Sequence, residues 1–441
     1  VHISNLQTLI NEEKIMNNNN NPSINSVDTY FNSYQSYQNV YNYLDNLVSL
    51  FPDYAKVSSI GSTYLGKPIK IITLSLNPNE NKPILWFDGG IHAREWITVT
   101  TVMYMADKLL RNYKPNVVNN ITSILNNFDV IICPIINVDG YDYTWTTNRL
   151  WRKTRSVNSG TSCVGTDPNR NFNFHWGEAG SSTSPCSDVY QGNKAASEIE
   201  VQTLQSTLWS LKDRIVGYVN FHSYSQLWMY SWGYTSALPP SNQMLSEVSK
   251  LGVAAIQAKY GTVYKYGPIY TTIYPASGGA VDYAYGVCGI PYSFTIELRD
   301  TGSKGFVLPT SDIIPTAEET FDGVIVLANY IKSKLVPTQS PTISPTSPTF
   351  LPTIKPTYLP TNKPSIKLTS SPTNKPSLSP TLKPSTKPSL SPTKLPTRLP
   401  TKLPTSKPTL IPSSKPTVSP TRSPTVKPTI KPSTQPSVKP T

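Results

Sequence analysis

Between Tyr30 and Leu335 the apolar positions follow two alternating spacings. Short apolar or β-branched runs, bounded by Gly, Pro or Asn, occur at Ile69–Leu76, Pro83–Phe87, Val130–Ile136, Ile215–Phe221 and Tyr292–Leu298. Runs of this length predict buried strands. Helical spacing appears over Ser33–Leu50, Glu95–Tyr113, Ala195–Leu211, Gln243–Tyr260 and Thr316–Lys332. Strands alternating with helices predict an α/β domain whose sheet is covered on both faces. In such sheets, sites form at strand ends. Val138–Gly192 follows neither spacing and is rich in Asn, Ser and Gly. A loop region that long in a compact domain points to function. No run of 18 or more apolar residues occurs, so no transmembrane helix is expected.

Two flanking segments depart from this pattern. Ile3 to Ile15 puts Ile3, Leu6, Leu9 and Ile10 on one side of a short helix. Asn17 to Asn21 and Pro22 then read as an unstructured connector. Residues 1–28 are therefore either a frayed terminus or the end of a removable pro-segment. Beyond residue 335, proline falls at every fourth position from Pro348 to Pro440, lapsing only at Leu368, among Thr, Ser and Lys. Such a segment cannot join a helix or a central strand and buries too little to offset ordering entropy. Residues 336–441 are expected to be disordered and rich in polyproline II, either as a plain linker or as an O-glycosylated stalk.

Charge changes the picture once it is located. The 441 residues carry a formal +13, which raises nucleic acid or acidic surfaces as partners. The tail alone holds 15 Lys+Arg and no acid, leaving 24 basic against 26 acidic residues elsewhere. The globular part is thus near neutral, and the tail lacks the aromatic interleaving of a single-strand binder. Nucleic acid is not an expected partner. Anionic polysaccharide or wall matrix is, from charge alone.

Only four histidines occur. His92 follows the Pro83–Phe87 run, Glu95 lies three residues on, and His222 ends the Ile215–Phe221 run. Two His and one Glu at strand ends fit a catalytic zinc site that leaves a fourth position for water. Alone, His-x-x-Glu is more often a hydrogen-bonded structural pair. Arg149, Arg152, Arg155 and Arg170 cluster beside Asn169. Guanidinium groups grip carboxylate or phosphate in pairs of bonds, although a set of surface ion pairs has the same appearance in sequence. Glu297 interrupts the apolar run Ser293–Leu298. A carboxylate there is costly unless paired, for instance with Arg299, or used as a general base.

Six segments then occur in order: GIHAREWI from Gly90, NRLWRKTR from Asn148, DPNRNF from Asp167, FHSYSQ from Phe221, IYPASGG from Ile273 and FTIELRDTG from Phe294. Together, over roughly Tyr30 to Lys334, they resemble the zinc metallocarboxypeptidases of the pancreatic carboxypeptidase A/B type (M14 family). The two-His, one-Glu zinc site of carboxypeptidase A is itself a standard example of catalytic zinc.

The resemblance implies an α/β domain over residues 29–335 with a mixed, mostly parallel central sheet flanked by helices. It implies one Zn2+ held by His92, Glu95 and His222, with Asp167 orienting His92. Asn169 and Arg170 match the pair that binds the substrate's C-terminal carboxylate, and Arg94 a secondary carboxylate site. Arg152 matches the group that polarises the scissile carbonyl, Tyr274 the tyrosine that closes over substrate, and Glu297 the general base. Val281 matches the floor of the terminal side-chain pocket, with Ile269, Ile273 and Gly279 beside it. Members preferring Lys or Arg carry an acid at the floor, so an A-type preference for aromatic or large aliphatic residues is expected. Cys163 and Cys186 match the family's disulfide, which implies an oxidising, extracellular or wall-associated setting. Cys133 and Cys288 read either as two buried free thiols or as a further pair. Val1–Ile15 resembles the end of the inhibitory pro-domain, with the rest of residues 1–28 a linker and Lys14 the only basic residue before Asn17. A secreted, monomeric enzyme acting on peptide and protein C-termini is expected. The alternative is a wall- or matrix-associated binding protein of the same fold without turnover.

Overall fold

The computed structural model describes residues 5–19 and 27–335. The chain divides into two units, Val1–Thr346 and Ser347–Thr441, and the described residues belong to the first. The expected disordered tail, and most of the expected connector after Asn17, lie outside the described residues.

Eight strands form one sheet: β1 (Ala55–Ser62), β2 (Pro68–Leu74), β3 (Ile84–Asp88), β4 (Asp129–Cys133), β5 (Ile215–Ser223), β6 (Leu227–Tyr230), β7 (Lys265–Pro268) and β8 (Tyr292–Leu298). Their spatial order is β1-β2-β4-β3-β5-β8-β6-β7. The centre, β4-β3-β5-β8, is parallel throughout. The flanks bring in antiparallel pairs at β1/β2, β2/β4 and β6/β8, with β6/β7 parallel. The sheet is therefore mixed and mostly parallel. β3 and β4 are buried at every residue, as continuous apolar runs between helical layers should be.

All five expected strands are present, shifted by a few residues at their ends. β1, β6 and β7 lacked a sequence signal for physical reasons. β1 is a half-exposed edge strand with no regular in-out alternation. β6 and β7 have four residues each, and β7 carries Gly267 and Pro268, which weaken a strand pattern. The five expected helices appear as Tyr37–Leu50, Trp96–Asn112, Ile199–Leu211, Asn242–Tyr260 and Ile313–Leu335. The first starts later than its period because the Ser36 side chain accepts from the Asn39 amide and caps it. Short helices at Asn120–Asn127, Val138–Thr146, Ile269–Thr272 and Ala280–Gly286 were not expected. After Thr146 the long loop region is irregular up to helix Ile199–Leu211, apart from one 3-10 turn at Pro168–Arg170, and the Cys163–Cys186 disulfide ties it. Cys133 and Cys288 are buried and free. No helix among the described residues is long and apolar enough to cross a membrane.

The head segment is helical over Leu6–Asn19, slightly later than the pattern indicated. It is not frayed. Ile10 and Glu13 are buried, and the Glu13 carboxylate accepts from Arg149 Nε at 2.5 Å and Nη2 at 3.0 Å.

Candidate active site

Strand register builds the floor of the site. His222 of β5 is paired with Glu297 of β8, and paired residues on neighbouring strands project from the same face. β3 ends at Asp88, and the chain turns through Gly89 and Gly90 to His92. The Thr98 hydroxyl locks this turn by accepting from the Gly90 amide (3.0 Å) and donating to the Glu95 carbonyl (2.7 Å). Glu95 immediately precedes helix Trp96–Asn112. The turn thus delivers His92 and Glu95 beside His222.

All three are buried, and one donor atom from each lies within 4.8 Å of the others. His92 Nδ1 lies 2.9 Å from Glu95 Oε1 and 3.0 Å from His222 Nδ1, and His222 Nδ1 lies 3.2 Å from Glu95 Oε2. Three donors converge on one point. The far nitrogens are occupied: His92 Nε2 faces Asp167 Oδ1 at 3.1 Å, and His222 Nε2 faces Asn220 Oδ1. With protons on both Nε2 atoms, both Nδ1 lone pairs point inward. Two imidazoles and a carboxylate so arranged fit a divalent zinc with an open position.

Asp167 is fully buried. Its Oδ2 accepts from Arg152 Nε (3.1 Å) and Nη2 (2.8 Å), and its Oδ1 from the Asn169 amide (2.9 Å). Burial pushes its carboxyl up, but the Arg152 guanidinium and His92 outweigh this and hold it well below the usual carboxylate range. It stays ionised and can orient His92. Glu297 is the opposite case. Burial, then the Glu95 charge, push its carboxyl up against the pull of His92, Arg152 and Arg170. Its Oε2 has no hydrogen-bond partner. Arg299 does not pair with it; that guanidinium is taken by Glu319 and Thr262.

Arg170 is buried and steadied by two carbonyls, Gly180 O at 2.8 Å and Asn169 O at 2.9 Å. Two glycines permit this. Gly180 has φ +79°, and a Cβ there would lie 1.7 Å from Pro275 O. Gly278 has φ +65°, and its Cβ would lie 2.5 Å from Arg170 O. Both positions need the left-handed region and lack room for a side chain. The half-exposed Tyr274 ring sits 5.7 Å from the Arg170 guanidinium.

One pocket collects His92, Arg152, Asn169, Arg170, His222, Tyr274 and Glu297, with Met229, Ile269, Ile273, Ala276, Gly279, Val281 and Thr295 along its walls. Asp282 also lines it, but its oxygens accept from the Gly233 amide (2.8 and 3.1 Å) and the Tyr234 amide (3.1 Å). Arg94 is not in this lining. It bonds Asp188 Oδ2 (3.0 Å) and Leu150 O (3.2 Å) and stacks on Phe306. Of the other arginines, Arg149 pairs with Glu13, and Arg155 stacks on Tyr143 and Trp151. His175 pairs with Glu178 near the surface. A roomier cleft along β1 and β2, lined by Tyr54, Lys56, Ser58 and Lys70, gathers no metal-ligating set. The sequence reading missed Asn220, Met229, Ala276 and Thr295. The period-2 spacing of Asn220 from His222 is the signal that could have found the first.

A two-His, one-Glu centre at the carboxyl ends of parallel strands, with a free carboxylate and a buried arginine in the same pocket, defines a metal-dependent hydrolase. Residues 40–323 match the Peptidase_M14 zinc carboxypeptidase family. Carboxypeptidase B of Astacus astacus is 46% identical over 301 residues, covering 68% of this chain and 97% of that protein. Carboxypeptidase A1 of Bos taurus is 41% identical over 338 residues, covering 76% and 79%. The solved carboxypeptidase A of Helicoverpa armigera superposes with a TM-score of 0.69 at 29% identity, covering 76% and 83%. The chain belongs to the zinc carboxypeptidase family. It is an exopeptidase of the metallocarboxypeptidase class, and members of this family use one Zn2+.

Proposed function

We propose that this enzyme removes aromatic or large aliphatic residues from the C-termini of peptides and proteins outside the cell. The observation that carries this is the buried Arg170 in one pocket with the His92–Glu95–His222 centre and an otherwise apolar recess. Arg170 and Asn169 bind the terminal carboxylate, which makes the cleavage exopeptidic, since only a chain end offers that group. Bound zinc would polarise the scissile carbonyl and lower the pKa of a water towards roughly 7. Glu297 takes that water's proton through its unpartnered oxygen and returns it to the leaving amine. Arg152, held by Asp167, donates to the oxygen on which charge develops. Tyr274 lies at the pocket mouth and closes over the bound residue. Arg94 offers a further carboxylate contact outside the pocket.

Val281 and its neighbours support the A-type preference. The names of similar proteins divide between A and B types, so the reading rests on the recess itself. Asp282 does not make it acidic, because the Gly233 and Tyr234 amides occupy its carboxylate. Secretion is supported by the Cys163–Cys186 disulfide. Residues 1–28 are read as pro-segment and linker, 29–335 as the catalytic domain and 336–441 as a cationic tail.

The direct test is release of phenylalanine from a peptide ending in Phe. Turnover is expected, and dialysis against a zinc chelator should abolish it until zinc is restored. Bound zinc with no release would favour a binding protein instead. Arg170→Ala should lower kcat/KM by roughly 10²- to 10³-fold, since it leaves the substrate carboxylate unpaired. It should also erase the parent enzyme's discrimination against C-terminally amidated peptides. Discrimination that survives the substitution would remove Arg170 from this role.

A further inference from the structure

The two histidines of the centre are supported by different groups. His92 meets a carboxylate directly, in Asp167. His222 meets an amide. Asn220 precedes it by two residues on β5, so both side chains leave the same face. Asn220 is fully buried, and the strand register sets it opposite Asp88 of β3. Its Oδ1 accepts from His222 Nε2, while its Nδ2 donates to Asp88 Oδ1. Asp88, also fully buried, accepts from Trp86 Nε1 through its other oxygen at 2.9 Å.

An amide can present either its oxygen or its NH2 to a histidine. Asp88 removes that freedom. An ionised carboxylate only accepts, so the Asn220 NH2 must face it, and the oxygen is left for the imidazole. That oxygen requires the proton on His222 Nε2, which frees the Nδ1 lone pair to face His92 and Glu95. Burial pushes the Asp88 carboxyl up, to about 6, with the Asn220 and Trp86 donors pulling the other way. It is ionised at pH 8. The same proton excludes a hydrogen bond between His222 and the Asn169 Nδ2, 3.2 Å away. The Asn169 side-chain NH2 therefore stays available to substrate.

We propose that Asn220, oriented by Asp88, is a positioning residue that fixes the tautomer and ring orientation of His222 and so sets zinc affinity. The relay sends the orienting charge of Asp88 to the metal centre through one neutral side chain, whereas Asp167 acts on His92 without an intermediary. Asp88 bonds Asn220 and Trp86 rather than a metal ligand, yet its charge matters.

The test is zinc affinity of the full chain at pH 8, measured by chelator competition. Asn220→Leu, close in size but without either hydrogen-bonding group, is expected to weaken binding by about 10- to 100-fold. Asp88→Asn should weaken it in the same direction, because the Asn220 amide is no longer held in one orientation. The double variant Asn220→Asp with Asp88→Asn exchanges the two groups. The carboxylate would then accept from both His222 and the new amide, and affinity should return to within about threefold of the parent. A purely packing role would not give that recovery. Melting of the metal-free proteins by circular dichroism checks that each variant folds, and the Asp88 variants decide the matter if Asn220→Leu does not. Affinities within twofold of the parent in both single variants, or a double variant no better than the singles, would overturn the relay. A parent chain that holds no zinc would instead overturn the metal centre on which the relay depends.

Discussion

Glu297→Gln is expected to lower kcat on a Phe-terminated peptide by roughly 10²- to 10⁴-fold, the usual worth of a positioned general base. Zinc content and KM should stay near those of the parent. Three observations separate base from ligand here. Glu297 is outside the group of converging donors formed by His92, Glu95 and His222. Its Oε2 has no partner in the protein. Its carboxyl is pushed up by burial and then by the Glu95 charge, which strengthens it as a proton acceptor near neutral pH. Glutamine keeps the size and the β8 backbone but cannot take a proton. It also replaces a buried carboxyl whose Oε2 has no hydrogen-bond partner, so thermal stability should hold or rise. Steady-state kinetics and metal analysis on the same preparation check this. Zinc lost together with activity would move Glu297 into the metal centre and sink the assignment.

What the sequence made legible follows from what each residue's environment writes into its neighbours. β3, β4 and β5 are buried on both faces, and such strands must be apolar at nearly every position, so they stand out. β1 is half exposed and β6 is only four residues long, so neither is forced into a pattern. His92, Glu95 and His222 were legible because ligands must occupy strand ends and one helix start. Spacing and composition alone did not separate the arginines; only the family resemblance did. Arg149, Arg152, Arg155 and Arg170 look equivalent along the chain, yet their partners are Glu13, Asp167, two aromatic rings and the Gly180 carbonyl. Only the fold brings Glu13 to Arg149 across 136 positions. Asn220 was hidden for a related reason. Its period-2 spacing from His222 places it on the same face, but its role shows only once Asp88 is seen beside it.

The recess offers the second large effect. Val281→Asp is expected to shift the ratio of kcat/KM for Phe-terminated over Lys-terminated peptides by roughly 10²- to 10⁴-fold towards Lys. Val281 is 3% exposed in helix Ala280–Gly286 and meets the pocket beside Met229, Ile269, Ile273, Ala276 and Thr295. Part of the shift is loss. A Phe ring placed against a buried carboxylate forfeits apolar burial, and a pocket of this kind distinguishes such changes by about 1–3 kcal/mol. The rest is gain, because an ammonium or guanidinium at the end of a long side chain would neutralise an acid that has no other partner. Asp282 cannot do this in the native enzyme, since the Gly233 and Tyr234 amides already satisfy it. The new acid should titrate high, because burial disfavours its charged form. Activity on Lys-terminated peptides should therefore rise as pH increases through that raised pKa, while activity on Phe-terminated peptides should not follow it. Paired assays on peptides differing only in the last residue give both readings. An unchanged ratio would show that Val281 does not form the floor of the recess.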